Sequence, residues 1–93
     1  MKVYISGKIT GLDRQVAENN FARAEKYLKN KGYDVVNPMR LCDEETDWDV
    51  AMKVCIDALL KCDAIYLLPN WKDSKGAKIE VQEAYENCIL FLN

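Results

Sequence analysis

The sequence predicts a small doubly wound α/β domain built on a parallel sheet, with elements in the order β-α-β-α-β-α-β. Two patterns carry this reading. Four short apolar runs, residues 3–6, 33–36, 64–68 and 89–92, have the length and composition of strands. Three longer segments between them repeat their apolar residues with a helical period. Strands that alternate with amphipathic helices form a parallel sheet covered on both faces. Right-handed crossovers then bring the loops that follow the strands to one edge.

Residues 3–6 form the first strand and run into a glycine-flanked loop, Gly7-Lys8-Ile9-Thr10-Gly11. Residues 13–31 place Ala17, Phe21, Ala24 and Leu28 on one helical face, at intervals of four, three and four. Gly32 is positioned to end that helix. The second strand, 33–36, stops at Asn37-Pro38, and an acidic connection covers 41–47. Trp48, Met52, Cys55 and Leu59 repeat the same intervals, which predicts a second helix from 48 to about 61. Residues 64–68 are the third strand, and 69–75 a loop rich in turn formers. The third helix covers 75–87 and the fourth strand 89–92.

At 93 residues the chain is expected to be a single domain, residues 1–93, burying roughly 60–65% of its unfolded surface. Its net charge of −2 gives no basic face for a nucleic acid polymer. No apolar run has membrane-spanning length. Cys42, Cys55, Cys62 and Cys88 form no C-x-x-C pair and the chain has no histidine, so neither a metal site nor a cofactor is expected. Cys62 and Cys88 flank strands and read as small core residues. Reduced thiols fit a cytoplasmic protein.

The chemistry-bearing residues cluster in segments that follow strands. The loop Gly7-Lys8-Ile9-Thr10-Gly11 can turn its amides toward an anion, or serve as an ordinary turn. The pattern Ser74-Lys75-Gly76-Ala77-Lys78-Ile79-Glu80 opens the third helix, with Ser74 as its N-cap. Ala77, Val81, Ala84 and Cys88 define the inward stripe of that helix, and Glu80 lies about 60° off it. There the helix dipole is expected to favour the ionised carboxylate and lower its pKa, whether Glu80 faces a site or solvent. Tyr4 packs in the core or hydrogen-bonds a carboxylate at the sheet edge. Trp71 stacks on a base or sugar, or caps the core. Ile79 faces outward and marks a subunit contact or an unremarkable surface position. The acidic run Asp43, Glu44, Glu45, Asp47 and Asp49 is read as solvated.

The segments V-Y-I-S-G-K-I-T-G, G-Y-D-V-V-N-P, C-D-A-I-Y-L-L-P-N-W and S-K-G-A-K-I-E resemble a family of short uncharacterised phage and bacterial proteins. That family lies within the nucleoside 2-deoxyribosyltransferase-like superfamily. The resemblance implies a flavodoxin-like sheet, a small-molecule nucleoside or nucleotide as ligand, and cleavage or transfer at its N-glycosidic bond. It implies Glu80 as nucleophile and Tyr4 as the residue that orients it. It also implies Gly7, Ile9 and Gly11 as a sugar and phosphate loop, with Ser74 and Gly76 as phosphate contacts. Two positions depart from the pattern: Cys55 stands where the superfamily carries a catalytic aspartate, and Thr10 where phosphate-cleaving relatives carry arginine. The alternatives are a non-catalytic nucleotide-binding module and a scaffold-only interaction protein. A homo-oligomer, most simply a dimer, is expected, because association would add buried apolar surface and superfamily members complete their sites across subunits.

Overall fold

The structure is a computed structural model that describes all 93 residues, Met1–Asn93. Four strands, β1 (Lys2–Ser6), β2 (Asp34–Val36), β3 (Ala64–Leu67) and β4 (Leu90–Phe91), alternate with three helices, α1 (Arg14–Asn30), α2 (Trp48–Leu59) and α3 (Lys75–Glu86). Short 3-10 turns at Pro38–Arg40 and Trp71–Asp73 follow β2 and precede α3. Every strand pair is parallel and the sheet order is β2-β1-β3-β4. This is the flavodoxin order without its fifth strand. In register, Tyr4 lies opposite Val36 on one side and Ile65 on the other.

Alternation along the strands sorts the core into two layers. Val3 and Ile5 of β1 and Ala64 of β3 pack with Phe21, Ala24 and Leu28 of α1 on one face. Tyr4 and Ile65 point to the opposite face, where Cys55 and Leu59 of α2 and Ala84 of α3 cover them. The chain is therefore wound on both sides of the sheet. The direction of winding reverses between β1 and β3, since β1 leads outward to β2 and β3 leads the other way to β4. The loops after these two strands diverge there and leave a crevice at the carboxyl edge, where doubly wound proteins bind ligands.

Local chemistry sets the helix ends. The Asp13 side chain accepts hydrogen bonds from the amides of Gln15 and Val16 at the start of α1. The Ser74 hydroxyl accepts one from Ala77 at the start of α3. After α1, Gly32 takes a φ of 90°, and the Tyr33 amide returns to the Leu28 carbonyl, closing the helix in a left-handed cap. Cys88 corrects its expected place in the core: it is exposed, with a φ of 58°. It takes the left-handed position that turns the chain from α3 into β4, while the Ile89 amide reaches back to the Ala84 carbonyl. Cys62 is buried, as expected.

Candidate functional site

The site begins with β1. Residues two apart on a strand share a face, so Tyr4 and Ser6 both point toward α3. The Tyr4 hydroxyl donates to Glu80 Oε2 at 2.6 Å, and the Ser6 hydroxyl donates to Oε1 at 2.7 Å. Both donors are fully buried and Glu80 is 6% exposed. One carboxylate on a helix is thus gripped at both oxygens by two hydroxyls from the central strand.

Here the structure corrects the expected electrostatics. Glu80 belongs to the buried face of α3 with Ala77 and Ala84, whereas Val81 is only half-buried. Burial pushes the Glu80 carboxyl up to about 7, although the hydrogen bonds from Tyr4 and Ser6 pull in the opposite direction. The helix dipole cannot offset this, because its influence fades after the first turn and Glu80 is the sixth residue of α3. Burial together with the neighbouring Glu80 charge raises the Tyr4 phenol well above its ordinary value, so it stays a proton donor. The Cys55 thiol, raised mainly by burial to about 11, is neutral at physiological pH.

Glu80 lies on an open cleft of about 630 Å3. The β1 loop contributes Gly7, Ile9, Thr10 and Gly11, and the start of α3 contributes Ser74, Gly76 and Ala77. The face of α2 that bears Trp48, Met52 and Cys55 forms the opposite wall. Cys55 therefore shares the cleft with Glu80. Asp43, Glu44 and Asp73 also line it, so part of the acidic run read as solvated borders the cleft. Arg14 and Lys75 are its cationic side chains.

Two glycines mark close packing around the cleft. A Cβ on Gly7 would stand 2.5 Å from Leu68 Cδ1, so β1 and the end of β3 could not approach so closely. A Cβ on Gly76 would meet Met52 Sδ of α2 at 3.1 Å, a tight contact that the flexible methionine would have to yield to. The wall formed by Pro38 and Met39 is fixed from behind. Buried Glu25 of α1 accepts hydrogen bonds from Asn37 and from two nitrogens of Arg40. Burial opposes the Glu25 charge, but the hydrogen bonds from Lys29, Asn37 and Arg40 outweigh it and lower its pKa.

A family model described as a domain of unknown function, DUF4406, matches residues 1–91. The chain belongs to the DUF4406 family. Among solved structures, the CMP N-glycosidase BcmB of Clostridium botulinum shares the fold of this DUF4406 chain with a TM-score of 0.63 and 18% identity. The match covers 98% of this chain and 66% of BcmB, just under two thirds of that protein. No curated protein matches the chain at a significant level.

Of the residues singled out in sequence, Gly7, Ile9, Thr10, Gly11, Ser74, Gly76 and Glu80 line this cleft, and Tyr4 reaches it through Glu80. Lys8 and Trp71 do not line it. Lys8 turns into a neighbouring depression, and its amide donates to Asn70 Oδ1 at 3.0 Å rather than facing an anion. Trp71 sits in the 3-10 turn before α3, with the Lys72 ammonium 5.8 Å from its ring centroid. Ser6 was missed. Its signal was present, since a serine two residues after Tyr4 on an otherwise apolar strand must share the tyrosine's face.

Proposed function

We propose that this DUF4406 protein cleaves the N-glycosidic bond of a nucleoside or nucleotide, with Glu80 as the nucleophile. The observation that carries the reading is the buried Glu80 carboxylate, held by two hydroxyls at the edge of a cleft at the sheet's topological switch point. The fold shared with a CMP N-glycosidase supports it. A carboxylate has about four lone-pair positions, so two hydrogen bonds fix its plane and leave electron density for attack. A Glu80 oxygen bonds to the anomeric carbon as the carbon–nitrogen bond breaks, and the base leaves with that electron pair. Water or a second base then displaces Glu80 from the sugar. Only ionised Glu80 attacks, so base release rises with pH through about 7.

The departing base needs a proton. Paired carboxyl groups normally divide nucleophile and acid between them, and neutral Cys55 is a weak acid at this pH. No second buried carboxyl group stands beside Glu80 to supply the proton, so in this open cleft it comes from solvent water. The cysteine also favours a second reading, a module that binds a nucleotide and turns it over slowly or not at all. The N-terminus of α3 with Ser74 and Gly76 would receive a 5′-phosphate through backbone amides, with Arg14 and Lys75 supplying the charge that Thr10 lacks.

The test is incubation with a panel of deoxynucleosides, ribonucleosides and their 5′-monophosphates, followed by chromatography for free base. Glu80→Gln is expected to abolish release, because an amide is a poor nucleophile. Release that persists in this variant refutes the assignment. Binding without release in the natural protein favours the second reading.

A further inference from the structure

The outer face of α3 carries a feature the proposed chemistry does not use. Lys8, Lys72, Lys75 and Lys78 line a depression of about 770 Å3 that holds a single carboxylate, Asp73. The chain's ion pairs, Arg14–Glu18, Lys29–Glu25 and Arg40–Glu25, involve none of these lysines. Lys72 and Lys75 instead lie over the rings of Trp71 and Trp48. Four ammonium groups facing one carboxylate do not follow from composition, since the whole chain carries a net charge of −2. Lys75 and Asp73 border both the depression and the Glu80 cleft, so the two spaces are continuous around the start of α3.

We propose that this depression is a polyphosphate subsite, and that the preferred ligand of the cleft is a nucleoside di- or triphosphate rather than a monophosphate. The inference rests on the reading that the cleft takes a nucleotide. A first phosphate at the α3 N-terminus leaves the next ones beside Lys75, within the lysine cluster. Asp43 and Glu44 also line the cleft and repel phosphate, so the phosphate chain extends instead past Lys75, where four lysines outnumber Asp73. A nucleic acid polymer fits less well, because it needs a continuous basic track and the acidic border interrupts one.

The experiment is calorimetric titration of the natural protein, and of Glu80→Gln, with the four 2′-deoxynucleosides as mono-, di- and triphosphates. A double variant, Lys72→Ala with Lys78→Ala, removes two exposed ammonium groups outside the cleft and leaves the fold intact. The expected result is triphosphate binding at least about tenfold tighter than monophosphate, since each charge-assisted contact contributes on that scale. The double variant should lose that advantage while monophosphate affinity stays within about twofold. Equal affinity for mono- and triphosphates, or a uniform loss in the double variant, overturns the proposal. So does inorganic tripolyphosphate binding as tightly as the nucleotides, or a single-stranded oligonucleotide binding more tightly. Absence of all nucleotide binding overturns this proposal and the nucleotide reading together. A lysine-dependent triphosphate preference without base release leaves the subsite standing and refutes only the catalytic reading. Release from monophosphates with no such preference refutes only the subsite.

Discussion

Replacing Tyr4 with phenylalanine tests the electrostatics of the site most directly. The ring is fully buried, and phenylalanine preserves its volume, so the change is confined to one hydroxyl and its 2.6 Å hydrogen bond to Glu80. A hydrogen bond to a charged group contributes about 1.5–3 kcal/mol, and 1.36 kcal/mol corresponds to one pH unit of titration. About 1 kcal/mol of this persists with the neutral carboxyl, so the Glu80 midpoint should move from about 7 to more alkaline pH by roughly 0.5–1.5 units. The stability consequence has a definite sign. Glu80 holds its proton more tightly in the folded state than in the unfolded state, so its own contribution to stability is fully present below about pH 4.5. That contribution, about 3 kcal/mol, is lost as pH rises from 4.5 to about 7. In Tyr4→Phe the loss continues past pH 7. The gap between the two proteins should be about 1 kcal/mol at pH 5, where the lost bond is to a neutral carboxyl, and about 2–3 kcal/mol at pH 9. Comparing the two proteins cancels the titration of every other group. The assay is carbon-13 NMR titration of labelled glutamate carboxyls, with urea unfolding at pH 5, 7 and 9. A Glu80 midpoint that stays put or moves to acid pH refutes the reasoning, as does a stability gap that is flat with pH.

Cys55→Asp places a carboxyl group where the cleft has a neutral thiol, and base release should rise by about 10²–10⁴-fold; an unchanged or lower rate would show that proton donation from this position does not limit turnover. Gly7→Ala forces a methyl group against Leu68, just past the ends of β1 and β3, and is expected to destabilise the fold by about 1–3 kcal/mol in chemical denaturation; no loss would mean that Leu68 moves aside freely. The protein is expected to be a dimer, with Ile79 and Trp48 candidate contact positions, and light scattering at micromolar concentration should report twice the mass of 10.7 kDa. A mass of one chain would confine the site to the residues of a single copy.

Much of this protein is written locally. The four-three-four intervals of Ala17, Phe21, Ala24 and Leu28 need no partner to be recognised as a buried face, and those four residues are buried. Strand alternation, Gly32 after α1 and Ser74 before α3 act over a few residues, so sequence alone determined the element order and the parallel sheet. The pairing of Tyr4 with Glu80 came from family resemblance, because no local rule joins residues 76 positions apart. Tertiary structure decided the environment. Helical period set Glu80 beside the inward stripe, but only the packing of α3 on β1 removed its water, and that burial reversed the expected direction of its pKa. The same packing brought Ser6 to the second carboxylate oxygen, and the connection before α2 set Asp43 and Glu44 on the cleft. It turned Lys8 away into the lysine-lined depression. Desolvation and the gathering of like charges depend on which surfaces meet. The spacing of residues along a chain carries the period of a helix or strand, but does not carry the distance between two of them.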